Sequence, residues 1–148
     1  MPLVKGDRAP RVSVEGPSSE ILLPFQGSTS ILFFYPTNQG RTCVTEIADF
    51  DRLQGQFAAL GIRVVGVTTE AISEIADLKG SKGLSVSLFS DPSGRASEAY
   101  GVRNAYGFAD RFTFLISGEG TILAMWQAYV TEGHADEVLR YCRRSPAP

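Results

Sequence analysis

Cysteine and histidine are scarce in this chain of 148 residues: Cys43, Cys142 and His134 are all it has. Two cysteines do not make a disulfide framework, and with a single histidine they do not make a zinc cluster. A surplus of one charge is missing too. Fourteen Lys and Arg stand against 16 Asp and Glu, a net charge near −2, and the one short basic pair, Arg143 and Arg144, reads as solvated surface. A polybasic nucleic-acid or membrane binder is thereby excluded. No apolar run approaches the length that crosses a bilayer. The opening "MPLVKGDRAP" lacks the apolar core of a secretory signal. The expected location is the cytoplasm, where thiols stay reduced. Internal repeats, linkers and phosphate-loop glycine spacing are also absent. One domain over 1–148 is expected, since 43% hydrophobic residues suffice for one core.

What is present is an alternation of strand-like and helix-like periods. "ILLP" (21–24) is a short strand candidate ended by proline, and "STSILFFY" (28–35) a stronger one whose continuous apolar run suits burial on both faces. Proline, asparagine and glycine make 36–41 a loop. From Thr42 the period changes: Ile47, Phe50, Leu53, Phe57 and Leu60 form a helical stripe, with Thr42 as N-cap and Gly61 as stop. "IRVVGVT" (62–68) is the next strand. A helix follows over 70–80, with Ile72, Ile75, Ala76 and Leu78 on one side and Gly80 at its end. "LSVSLFSD" reads as a strand and "GRASEAYG" as a short helix. "RFTFLIS" and "TILAMWQAYV" read as strands joined by a "GEG" turn, "GHADEVLRYCR" as a last helix, and "SPAP" as a frayed tail. The order predicts an α/β fold, a mixed central sheet flanked by helices on both faces.

Cys43 falls in the first turn of the helix expected over 42–60. Free backbone N–H groups at such a turn stabilise a thiolate, the form that attacks peroxides and disulfides. Cysteine is also among the most buried residue types, and 43, 46, 47, 50 and 53 share one helical face. Periodicity leaves an inert core cysteine and a reactive thiol about even. Three residues beyond Cys43 stands Glu46 rather than a second cysteine, which disfavours a dithiol exchanger.

Several stretches then occur in an order that resembles the peroxiredoxins, closest to the bacterioferritin-comigratory-protein or Q-type group. They are "VKGDRAP", "ILFFYP" with Cys43 seven residues beyond Pro36, "TEIADF", "SDPSGRASEAYGV", "DRFTFLISGEGTILAMW" and "GHADEVL". The resemblance runs nearly end to end. It implies a thioredoxin-like fold and thiol-dependent reduction of hydrogen peroxide or organic hydroperoxides, with no cofactor. Cys43 would be the peroxidatic cysteine, oxidised to a sulfenic acid. Pro36 would shape the pocket and shield the sulfur. Arg111 would be the family arginine, whose cationic fork favours the thiolate and holds the peroxide oxygens.

Two departures from the pattern matter. The family has threonine or serine four residues after the proline, and here that position is Gly40. Thr42, Thr37 and Thr45 are the nearby hydroxyls, and the loss of one transition-state hydrogen bond costs roughly 3 kcal/mol, about a hundredfold in rate. The resolving cysteine common five residues after the first is replaced by Ala48, and the helix over 70–80 carries none. The expectation is a one-cysteine peroxidase reduced by an external thiol such as thioredoxin, glutaredoxin or a small thiol. Cys142, on an apolar helix face, is the remaining resolving candidate, although burial is its stronger reading. The alternatives are a redox sensor or interaction protein with weak turnover, and a thiol–disulfide oxidoreductase. The oligomeric expectation is a monomer or homodimer. His134 reads as a structural residue at a helix start, Trp126 and Tyr129 as core or dimer contacts, and Glu46 as a solvated first-turn acid.

Overall fold

The structure, a computed structural model, describes residues 1–145. Its centre is the apolar run of the sequence. Thr29–Phe34 forms strand β3 in the interior of a seven-stranded sheet, after Val12–Glu15 (β1) and Glu20–Leu23 (β2). Arg41–Ala58 (α1) follows, then Ile62–Thr68 (β4), Ile72–Lys82 (α2), Ser87–Ser90 (β5), Arg95–Ala99 (α3), Phe112–Ile116 (β6), Ile122–Gln127 (β7) and His134–Arg144 (α4). The strand order is β2-β1-β5-β4-β3-β6-β7. β4 lies parallel to β3 and β5, whereas β6 runs antiparallel to β3 and β7. The sheet is therefore mixed, as expected.

Because β3 is interior, its two faces feed two cores. Ile31, Phe33 and Tyr35 face the cluster built with α1, α2 and α4. Leu32 and Phe34 face the cluster that includes Ala96 of α3 and Tyr100 just beyond it. Helices thus cover both faces. The Phe33 and Phe50 rings stack with centroids 4.5 Å apart and planes 13° apart, which fixes α1 across the sheet. Gly66 of β4 makes the space: a Cβ there would lie 2.6 Å from Phe33 Cζ. The other end of α1 is tied to α4 by Arg52–Asp136 at 3.1 Å and by Arg143 Nη2 donating to Gln56 at 2.5 Å.

Several sequence expectations need correction. β1 was not foreseen, since "VSVE" carries few apolar residues; it pairs with β2 over four residue pairs and with β5 at one. α2 runs past Gly80 and ends at Gly83, whose φ of +65° suits a residue without Cβ. Ala76 on α2 is exposed. α1 begins at Arg41, so Thr42 lies inside the helix and is not its N-cap. Arg111 stands immediately before β6 rather than on it. Of the frayed tail expected at 145–148, all but Ser145 lies outside the described residues.

Candidate active site

The end of β3 turns into α1 through residues 35–40, and this short loop is held from inside and from the side. Tyr35 is buried, and its hydroxyl donates to Asn38 Oδ1 at 2.8 Å. Glu70, in the turn after β4, accepts from Thr37 Oγ1 at 3.0 Å and from the Asn38 backbone N–H. Thr37 Oγ1 in turn accepts from the Gln39 N–H at 3.1 Å. Pro36 is half-buried within this frame. Gly40 closes it with φ +87° and ψ 145°, a conformation open in practice only to glycine. No side chain caps α1. The first intrahelical bond runs from the Val44 N–H to the Gly40 carbonyl at 3.1 Å. The N–H groups of Arg41, Thr42 and Cys43 precede it, as at any helix start.

Cys43, the third residue of α1, is 1% exposed and packs in the Phe33–Tyr35–Ile47–Phe50 cluster. Arg111 Nη2 reaches its sulfur at 3.5 Å. The arginine is positioned by its own backbone: its carbonyl accepts from the Ala128 N–H at 2.8 Å, at the end of β7. Three elements distant in sequence (β3, α1 and the β6 start) therefore converge on one sulfur.

Glu46 overturns its sequence reading. It is no solvated acid but 0% exposed, on the inner face of α1 one turn from Cys43. Among the described residues neither carboxyl oxygen has a hydrogen-bond partner, and neither has Arg111 Nε nor Asn38 Nδ2. Burial pushes the Glu46 carboxyl up to about 8, against the opposing pull of Arg111. The Tyr35 hydroxyl is pushed above its ordinary value, first by burial and then by Glu70, Cys43 and Glu46. A signal for Glu46 existed in the sequence, because 43, 46, 47 and 50 share a face. Tyr35, Asn38 and Glu70 had none, since their roles depend on contacts between β3, the loop and the turn after β4.

The structure separates the other candidates. Thr42 is exposed, and its carbonyl accepts from Thr131 Oγ1 at 2.8 Å. The Thr37 hydroxyl is committed to Glu70, and Thr45 is half-buried beside a groove of about 700 Å³ between the loop, α1 and α2. Cys142 is buried on α4, and its thiol is pushed up to about 11 by burial. Its neighbour Arg143 bonds to Gln56, 13 positions after Cys43 on α1. At about 1.5 Å per residue that contact lies about 20 Å from Cys43 along the helix. His134 is buried at the start of α4, with Nε2 2.8 Å from Thr113 Oγ1 and its ring edge-on to Phe50. Burial holds it below its ordinary value. Trp126 packs half-buried against His134 and Tyr141, whereas Tyr129 is exposed. Among the described residues, no helix is long and apolar enough to cross a membrane, and no group of three His, Cys, Asp or Glu side chains is placed to hold a metal.

Comparison with known proteins gives the same frame. The model of the AhpC/TSA family matches residues 6–125. The peroxiredoxin Bcp of Xanthomonas campestris pv. campestris is 30% identical over 135 residues, which cover 86% of this chain and 84% of that protein. The Bcp of Bacillus subtilis is 28% identical, covering 91% and 92%. Among solved structures, peroxiredoxin Q of Xanthomonas campestris superposes with a TM-score of 0.84 at 26% identity, over 91% of both chains.

Proposed function

This chain belongs to the AhpC/TSA family and is a thiol-dependent peroxidase of the peroxiredoxin kind, and we propose that Cys43 is its peroxidatic residue. The observation that carries this reading is the Arg111 guanidinium 3.5 Å from the Cys43 sulfur, in the first turn of α1 and on its buried face. The cation and the first-turn N–H groups of α1 are placed to stabilise negative charge that the reaction develops there. The thiolate attacks one oxygen of hydrogen peroxide or an organic hydroperoxide. The O–O bond breaks, water or alcohol leaves, and Cys43 becomes a sulfenic acid. Arg111 stabilises the charge that shifts from sulfur to the departing oxygen. Pro36, half-buried in the loop, shields the sulfur from bulk solvent.

The oxidised sulfur is returned by an external thiol, thioredoxin, glutaredoxin or a small thiol, in a cytoplasmic setting. Two observations support this one-cysteine cycle. Ala48 occupies the position of the nearby resolving cysteine. Cys142 belongs with the far end of α1, whereas a disulfide needs Cα atoms roughly 4–7 Å apart. Gly40 favours a second reading, a redox sensor with slow turnover, because the hydroxyl that the resemblance leads one to expect there is missing.

The test mixes reduced wild-type and Cys43→Ser protein with hydrogen peroxide in the presence of a sulfenic-acid trap. Intact mass and peroxide loss are followed. One adduct and rapid peroxide loss are expected for wild type and neither for the variant. Equal slow reaction in both would sink the peroxidase reading. Fast adduct formation without turnover by any thiol would select the sensor.

A further inference from the structure

Five buried side-chain polar atoms lack a hydrogen-bond partner among the described residues, and four of them belong to Asn38, Glu46 and Arg111, around Cys43. Leaving such atoms unpaired when buried is costly, so their concentration at one point calls for a role. Glu46 contributes two. It sits three residues after Cys43 on the same buried face of α1, which places the Cβ atoms about 5–6 Å apart. Arg111 bonds the sulfur through Nη2 and leaves Nε unpaired, and its charge is felt at the Glu46 carboxyl. The groups facing Glu46 are thus Cys43 on its own helix, Arg111 from the β6 start and the Tyr35 hydroxyl from the end of β3.

Resting on the assignment of Cys43, we propose that Glu46 is the proton relay of the peroxidase reaction, taking the proton of the Cys43 thiol and giving it to the departing oxygen. In the attacking state Cys43 is a thiolate and Glu46 a neutral acid. The sulfur pair attacks the terminal oxygen of R–O–O–H, a S–O bond forms and the O–O bond breaks. The alkoxide RO⁻ leaves as ROH with the Glu46 proton. Sulfur has lost two electrons and the peroxide has gained them. Charge balances, because the Glu46 carboxylate replaces the thiolate, and the Arg111 charge acts on that carboxylate. When an external thiol has returned Cys43 to S–H, its proton passes to the carboxylate and the attacking state is restored. A relay needs an acid neutral near the working pH, and burial raises this carboxyl to about 8.

The experiment uses leaving groups of different basicity. Rates of Cys43 oxidation by an alkyl hydroperoxide, which expels a strongly basic alkoxide, and by an aromatic peracid, which expels a stable carboxylate, are measured by rapid quench and intact mass. For Glu46→Gln, the ratio of the alkyl to the peracid rate is expected to fall about a hundredfold, the scale of general acid catalysis. A merely structural Glu46 would slow both reactions equally; an unchanged ratio overturns the proposal. Should Glu46→Gln not fold, the wild-type ratio is followed from about pH 6 to about pH 9.5, with the peracid rate expressed per neutral peracid so that the oxidant's own ionisation drops out. A fall centred near the carboxyl's value of about 8 is expected, and a constant ratio overturns the relay. Cys43→Ser is run in parallel: if it still reacts with either oxidant, the assignment of Cys43 fails, a result distinct from failure of the relay.

Discussion

Among the described residues the sulfur of Cys43 has one charged partner, Arg111, and most of what can be tested at the scale of the residue follows from that. Arg111→Met removes the Nη2 donor at 3.5 Å while keeping a similar stem. Sulfenic-acid formation should slow by about a hundredfold or more, the usual effect of losing one donor to developing charge, with the melting temperature little changed. Stopped-flow rates alongside a thermal melt check this. Glu46 makes a prediction about stability. Its carboxyl has an ordinary value of 4.5 and stands at about 8 when folded. Between these values the folded chain holds a proton that the unfolded chain has released. Stability therefore falls as pH rises through this window, by a few kcal/mol at about 1.4 kcal/mol per unit. Chemical denaturation of wild type should show the fall and Glu46→Gln should flatten it. A curve that keeps its slope in the variant would assign the dependence to another group.

At the scale of the element, the start of α1 depends on Gly40. Nothing lies within 4 Å of a Cβ added there, so the obstacle to a side chain is the backbone, at φ +87°. Gly40→Thr, which writes the family hydroxyl back into the sequence, should cost about 1–3 kcal/mol in strain and leave the peroxide rate no higher than that of wild type. Melting and single-turnover oxidation measure the two parts. A rate above wild type would mean that the loop had re-formed around the hydroxyl. The placement of α1 over the sheet is sensitive in another way. In Gly66→Ala the new Cβ would meet Phe33 Cζ at 2.6 Å and Leu88 Cδ2 at 2.8 Å. The stack of Phe33 on Phe50 must shift, and about 1–3 kcal/mol of overpacking is expected, read as a lower denaturation midpoint.

For the molecule as a whole, the two cysteines are kept apart by the architecture. α1 and α4 pack on one face of the sheet, but Thr131 meets the start of α1 and Arg143 its later turns, so Cys142 belongs with the end of α1 remote from Cys43. Native protein oxidised without a thiol should gain oxygen atoms rather than lose two hydrogens. Cys142→Ser should react with peroxide as wild type does. Intact mass distinguishes these outcomes, and an intramolecular disulfide formed without unfolding would overturn the one-cysteine cycle.

Element types were legible where the period was long. The stripe Ile47–Phe50–Leu53–Phe57 announced α1, and the run Ile31–Tyr35 announced a strand buried on both faces. The two weakly patterned events, β1 and the cap of α1, were not, because a four-residue edge pairing and a positive φ leave little trace in composition. Cys43, Pro36 and Arg111 were named from motif order, but the 3.5 Å contact from Arg111 to the sulfur exists only because the β6 start is carried by the sheet to the end of β3. Glu46 shows the division most plainly. Its spacing from Cys43 is written in the sequence and follows from 3.6 residues per turn. Whether that face meets water or a closed core was decided only when α1 packed over β3, and that burial pushes the carboxyl of an ordinary acid up to about 8 beside the Cys43 sulfur.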